Sequence, residues 1–432
     1  MRLDAHWMPF TSNKAFINNP RMLQSAKDMY WVSDKGKNIL DMTAGLWCTN
    51  LGHGRKQVAE AMYASATNLD YAPSFGFGHS GSFELAERLA DMAPGNLNHV
   101  FFTNSGSESV DTALKMALAY QVSRGLAGKK MFIGRERAYH GVNFGGTATG
   151  GISNNSRAFG RLSNVDHLSD ILDIEHNAFS RGLPEFGAEK AEKLDHLLNF
   201  HGADNVAAVI VEPIQGAGGV IVPPKGYLKR LREICTRHDV LLIFDEVVTA
   251  FGRTGSFTAA QEFDVTPDIM TIAKGLTSGV VPMGAVFCSD TIYKSVVTEA
   301  PVGIEFWHGY TYSAHPLACA VASACLDIYE DEKLFTRANE GIGQYFEQVL
   351  HGLRDLDGVV DIRNYGLLGA IEFEPTADPI PTGVKVFLQA WENGLMVRGL
   401  GDTIVVSPPL IVENSHIDEF EEIIRKSFSE VS

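Results

Sequence analysis

A lysine closes an apolar run in "DIMTIAKGLTSG" (residues 268–279), and a glycine follows it at once. Most lysines lie in water, so the plainest account of Lys274 is a strand leaving the core, its stem on the surface and its ammonium solvated. A second ionisable group, Asp245, ends the apolar run of "VLLIFDEV", 29 positions earlier. A carboxylate buried there without a partner is costly. It calls for a cation, a hydrogen-bond donor, a salt bridge or a helix to cap. A third stretch, "FFTNSGSES", runs off a strand into a helix beginning near Ser107. The N–H groups of Gly106 and Ser107 and the hydroxyls of Ser105 and Ser107 suit a phosphate. A serine N-cap, with Glu108 and Asp111 favouring the helix start, accounts for the same residues.

Together the amine, the carboxylate and the phosphate cradle are what one cofactor needs. Pyridoxal phosphate couples its aldehyde to an enzyme lysine and keeps an acidic group against its ring nitrogen. Lys274 is then expected to form an imine with that aldehyde. Away from water its amine should have a lowered pKa and serve as nucleophile and proton carrier.

Such residues need rigid elements to hold them. From residue 100 onward, "VFFTN", "MFIGRE", "AAVIVEP", "VLLIFDEV", "IMTIAK" and "GAVFCS" alternate with helical segments such as 107–124 and 225–238. Apolar runs without alternation, separated by helices, predict a mostly parallel sheet covered on both faces, an α/β fold. Beyond "SAHPLACAVASACLDIYEDE" the pattern changes to a long helix, then strands ("DIRNYGLLGAIEFE", "DTIVVSPP") and a last amphipathic helix, "HIDEFEEIIRKSF". We therefore expect a large domain over 59–315 and a smaller α+β domain formed by 1–58 and 316–432. The site should lie between them, beyond the carboxyl ends of the strands.

Composition narrows the function. The chain has 432 residues, 45% of them hydrophobic, and 36 Lys and Arg against 52 Asp and Glu give a net charge of −16. That balance argues against nucleic acid as a partner. The five cysteines are scattered and include no C-x-x-C pair, so neither a disulfide framework nor a metal site is expected. No segment has the length and apolarity of a signal peptide or a membrane span, and a cytoplasmic location is the expectation.

The motifs "LWCTNLGHGRKQV", "PGNLNHVFFTNSGSES", "AYHGVNFGGT", "VEPIQGAGGVIVPPKGYL", "FDEVVTAFGRTGSF", "IAKGLTSGVVPMGAV" and "HGYTYSAHPLACA" stand in this order along the chain. With them the sequence resembles, essentially end to end, the class III (ω-amino acid) aminotransferases of the fold-type-I pyridoxal phosphate enzymes. Within that family it is most similar to the β-alanine or ω-amino acid:pyruvate group. The resemblance implies that Lys274 is the imine-forming lysine and Asp245 the partner of the ring nitrogen. It implies further that Gly106 and Ser107, with Ser105, hold the phosphate, and that Thr311 reaches it from the other subunit of a homodimer or tetramer. Tyr139 would stack on one face of the ring and Val247 on the other, with His140 and Glu212 near the cofactor. Where the family usually reads D-E-V-x-T-G-F-G, this chain carries Ala250; glycine suits tight backbone, so a small stability cost is expected there.

Specificity is read from substitutions. Ornithine- and GABA-type members carry a Glu in "EPIQGE" and an Arg in "RFAPPL"; here those places hold Ala217 and Val405. The resemblance instead implies Arg398, in "LMVRGLGDT", as a mobile clamp for the carboxylate of pyruvate or β-alanine, a task that suits a planar guanidinium. Trp47 resembles an aromatic wall of the pocket, with Phe10 or "SFGF" (74–77) completing it. The implied activity is transfer of an amino group from an ω-amino acid or amine to pyruvate by a ping-pong route. Taurine, diamine or polyamine donors on the same fold stay open.

Overall fold

A computed structural model describes residues 2–431. The apolar runs become strands: β1 (Leu23–Lys27), β2 (Tyr30–Ser33), β3 (Asn38–Asp41), β4 (His99–Thr103), β5 (Met131–Arg135), β6 (Val165–Leu168), β7 (Val206–Val211), β8 (Leu241–Asp245), β9 (Ile269–Ile272) and β10 (Gly284–Cys288). Toward the C-terminus follow β11 (Val359–Tyr365), β12 (Leu368–Phe373), β13 (Leu395–Met396), β14 (Arg398–Leu400) and β15 (Thr403–Val406). Four helices matter for the site and its packing: α1 (Gly106–Ser123), α2 (Tyr227–Arg237), α3 (Pro316–Asp331) and α4 (Asn414–Ser429).

Seven strands form the central sheet in the order β4-β10-β9-β8-β7-β5-β6. All run parallel except β10, which is antiparallel to both neighbours. Every residue of β7 is buried, because side chains leave the sheet alternately to two covered faces. On β8, Leu241 and Ile243 pack with Val110, Ala113 and Ala117 of α1. Leu242 and Phe244 pack on the opposite face with Leu231 and Ile234 of α2. Each fully buried Val, Leu, Ile or Phe among them contributes about 1.5–3 kcal/mol. This two-sided burial holds the strand ends rigidly in place.

Two four-stranded sheets flank the large one, ordered β1-β2-β3-β13 and β11-β12-β15-β14. In the first, β13 pairs in parallel with β3, Leu395 opposite Leu40 and Met396 opposite Asp41, so the two ends of the chain share one sheet. A single apolar core runs from Met29 through Phe102, Ile272 and α3 to Phe420 of α4. Among the described residues no helix is long and apolar enough to cross a membrane, and no group of His, Cys, Asp and Glu could hold a metal ion.

Helix α1 begins at Gly106, next to the expected start near Ser107, with Ser105 as its N-cap. Two local expectations need correction. Strand β9 stops at Ile272, and Lys274 opens a short 3-10 turn with φ +41°; the glycine after it follows a strained lysine rather than a strand end. Ala250 is buried at an ordinary negative φ, and the left-handed residue is its neighbour Phe251, φ +62°. Position 250 therefore does not require glycine, and the expected cost does not arise there.

Candidate active site

The carboxyl ends of the parallel strands converge on one region. Strand β4 leads to Ser105, β5 to Tyr139, β7 to Glu212, β8 ends in Asp245, and β9 leads to Lys274. In register, Asp245 lies opposite Thr271.

Asp245 is buried and held by three hydrogen bonds. Its Oδ2 lies 2.8 Å from His140 Nδ1, and its Oδ1 accepts from the Thr271 hydroxyl at 3.1 Å and the Val247 N–H at 3.2 Å. A carboxylate only accepts, so His140 carries its proton on Nδ1. His140 Nε2 is buried without a partner among the described residues. Thr271 escaped the sequence-based reading, although its hydroxyl is the one polar side chain within the run "IMTI".

Lys274 is half-buried, with Nζ 5.3 Å from the centre of the Trp47 ring. Burial pulls its amine below the ordinary lysine range, while Asp245, Cys48 and Glu212 pull it back up. Desolvation penalises the ammonium most, so the neutral amine gains at a given pH. Its left-handed backbone costs on the order of 1–3 kcal/mol, which the packed surroundings absorb.

At the start of α1 the Ser105 hydroxyl accepts from the Glu108 N–H (3.2 Å), and Ser107 Oγ accepts from the Val142 N–H (3.1 Å). Ser105 thus caps its own helix, and Ser107 is fixed by the loop carrying Tyr139. The first-turn N–H groups of Gly106 and Ser107 have no intrahelical acceptor. Two glycines keep the space beside them open. A Cβ on Gly106 would lie 2.9 Å from Val247 Cγ1, and one on Gly141, at φ +91°, would lie 2.5 Å from Ser107 Oγ.

Glu212 is buried, and both its oxygens are taken, by the N–H groups of Tyr139 and Gly216 at 3.0 Å each. It ties together the loops that carry Tyr139 and Ala217. Burial and the charge of Asp245 push its carboxyl upward. Tyr139 and Val247 are half-buried; burial, Asp245 and Glu212 hold the Tyr139 phenol neutral by raising its pKa.

Trp47 packs in one apolar cluster with Ile214, Val220 and Val405, against which Ala217 and Leu400 also lie. Arg398 faces Val405 across β14 and β15, and directly opposed residues project to the same side of a sheet. Its guanidinium is half-buried and makes no ion pair or hydrogen bond among the described residues. Burial draws it below the ordinary arginine range.

Thr311 is not part of this cluster. It is exposed, and its carbonyl accepts from the Tyr71 hydroxyl at 2.9 Å. Phe10, Phe75 and Phe77 are also exposed, and none belongs to the cluster that holds Trp47. Within one chain they lie apart from that cluster.

These residues fit pyridoxal phosphate. The helix start with two close-packed glycines leaves a cradle for the phosphate, and the buried Asp245, held by three hydrogen bonds, keeps an acceptor position on Oδ2 for a cationic nitrogen. The half-buried amine of Lys274 feels the charges of Asp245 and Glu212, as an imine-forming lysine beside that cofactor must.

Residues 12–428 match the model of the family aminotransferase class-III. The chain is 50% identical to the omega-aminotransferase of Caulobacter vibrioides, covering 99% of this chain and 98% of that one. It is 46% identical to the beta-alanine–pyruvate aminotransferase of Pseudomonas aeruginosa, covering 100% and 97%. Among solved structures, an (S)-enantioselective omega-transaminase from Thermomicrobium roseum superimposes with a TM-score of 0.93 at 34% identity, covering 99% and 97%.

Proposed function

Because this chain belongs to the class-III aminotransferases, and therefore works with pyridoxal phosphate, we propose that it moves the amino group of an ω-amino acid, β-alanine above all, to pyruvate. The products are the corresponding aldehyde and L-alanine. The observation that carries this choice of substrates is the half-buried guanidinium of Arg398, unpaired among the described residues, beside the Trp47 cluster. A desolvated cation without a partner is unfavourable until a carboxylate reaches it.

The cofactor, when bound, supplies an electron-accepting ring that stabilises the charge left when the substrate carbon loses its proton. The protein's side chains do the rest. Gly106 and Ser107 would bind the phosphate. Asp245, steadied by His140 and Thr271, would accept the hydrogen bond of the protonated ring nitrogen. Tyr139 and Val247 would flank the ring, and Glu212 holds the Tyr139 loop in place. The Lys274 amine would take the proton from the substrate carbon and deliver it to the cofactor's carbon on the far side of the nitrogen. Trp47 and Ala217 shape the pocket, and Arg398 binds the carboxylate of each substrate in turn.

We assign residues 59–315 to a cofactor-binding lobe and 1–58 with 316–432 to a smaller lobe, which the pairing of β3 with β13 supports. We also assign a homodimer as the working unit. Thr311 sits amid exposed aromatic rings, Tyr71, Phe75 and Tyr312, and such patches mark interfaces. The Thr311 side chain is then available to the phosphate site of a second copy.

The test is the near-visible absorption of the dialysed, cofactor-loaded protein. We expect β-alanine to abolish the cofactor's band near the visible and pyruvate to restore it. A band indifferent to β-alanine but responsive to another amine would move the donor; no band at all would remove the cofactor assignment of Lys274. In Arg398→Ala, kcat/KM for β-alanine should fall by about 10²-fold, the loss of one charged hydrogen-bonded pair. The half-reaction with an uncharged amine donor should stay within about threefold of the parent. Equal losses for both donors would show that Arg398 does not read the carboxylate.

A further inference from the structure

Trp47 stands against Lys274, yet no hydrogen bond holds its indole: Nε1 is buried without a partner among the described residues. The position of the ring is therefore set by its packing and by the backbone beneath it. That backbone is unusual. Ala44, Gly45 and Trp47 all have positive φ, at +46°, +68° and +60°. Two of the three are not glycine, so something outside the turn must hold it in shape.

The holder is Asp41, the last residue of β3 and fully buried. Its Oδ1 accepts from the Thr43 N–H at 3.0 Å and lies 3.2 Å from the Thr43 hydroxyl; its Oδ2 accepts from the Gly45 N–H at 2.7 Å. The same Oδ2 lies 2.9 Å from His53 Nε2. The histidine is fixed in turn: its backbone exchanges two hydrogen bonds with Asp28, and its ring lies 5.3 Å from that of Trp31. Neither Asp41 nor His53 touches the reacting groups.

We propose that Asp41, braced by His53, is a positioning residue that sets the width of the pocket beside Lys274. By clamping the 43–47 turn it fixes where the Trp47 indole stands, and so how large a donor is admitted. The proposal rests on the assignment of Trp47 as a wall of the substrate pocket.

The test compares holoenzyme variants by the ratio of kcat/KM for 1-phenylethylamine to that for β-alanine, with pyruvate as acceptor. Trp47→Ala should raise the ratio, and Asp41→Asn should raise it in the same direction by about tenfold. The double variant should go no further than Trp47→Ala alone, since both act through one ring. His53→Gln, which keeps an N–H donor toward Asp41, should return the ratio to within about twofold of the parent, whereas His53→Ala should not. If Asp41→Asn fails to fold, His53→Ala carries the same expectation at smaller amplitude. A ratio unmoved by Asp41→Asn or His53→Ala, with both donors slowed equally, overturns the clamp. A ratio unmoved by Trp47→Ala overturns the wall assignment itself, so the two failures are told apart.

Discussion

Replacing Lys274 by alanine is expected to leave a folded protein whose transamination falls by at least about 10⁴-fold, the combined loss of a nucleophile and of the group that carries the proton. Folding should survive because the residue's cost lies in its backbone. A left-handed alanine is strained like a left-handed lysine, and the removed ammonium was itself disfavoured by burial beside Trp47. Alanine formation from β-alanine and pyruvate, followed at saturating substrate, reads the activity; circular dichroism and a melting curve read the fold. Activity within tenfold of the parent, in a protein that melts normally, would show that Lys274 is not the reacting amine.

Asp245→Asn should come next in size. Asparagine has the same shape and can keep its oxygen on Thr271 and the Val247 N–H, so the strand end is preserved. Lost are the charge proposed to face the cofactor's ring nitrogen and the acceptor for His140 Nδ1. Breaking a buried charge pair by removing one partner costs about 3–5 kcal/mol, or roughly 10²- to 10⁴-fold if the deficit falls on the transition state. The loss should appear in kcat more than in KM, because the ring nitrogen's charge matters most when electrons flow onto the ring. A pure KM effect would instead make Asp245 a cofactor or substrate anchor with no share in the chemistry.

Much of this was legible in the letters because of how the central sheet is covered. A strand buried on both faces cannot alternate, so β7, β8 and β9 read as continuous apolar runs, and any charged residue at their ends stands out. Asp245 and Lys274 were conspicuous for that reason, and the serine–glycine helix start was legible from its capping chemistry. Strand direction was not legible: "GAVFCS" looks like its neighbours, yet β10 runs antiparallel to them. Nor was β13, whose two residues are too few to carry a period. The strained turns were hidden for another reason. Left-handed backbone announces itself through glycine, but Ala44, Trp47, Phe251 and Lys274 adopt it under tertiary constraint. Asp41 closes an apolar run much as Asp245 does, and "NLGHG" supplies its histidine, yet only the fold brings the two side chains together.

The parallel pairing of β3 with β13 also has a consequence for how the molecule is made. Met42 donates its N–H to Met396, and Leu40 donates to Gly394, across some 354 positions of chain. At the usual pace of translation, about 5–20 residues per second, β3 waits roughly 20–70 s on the ribosome before its partner emerges. The cradle at Gly106 and the amine at Lys274 are already synthesised by then. The end of the pocket hung on β3 through Asp41 and on β14 through Arg398 is therefore completed last.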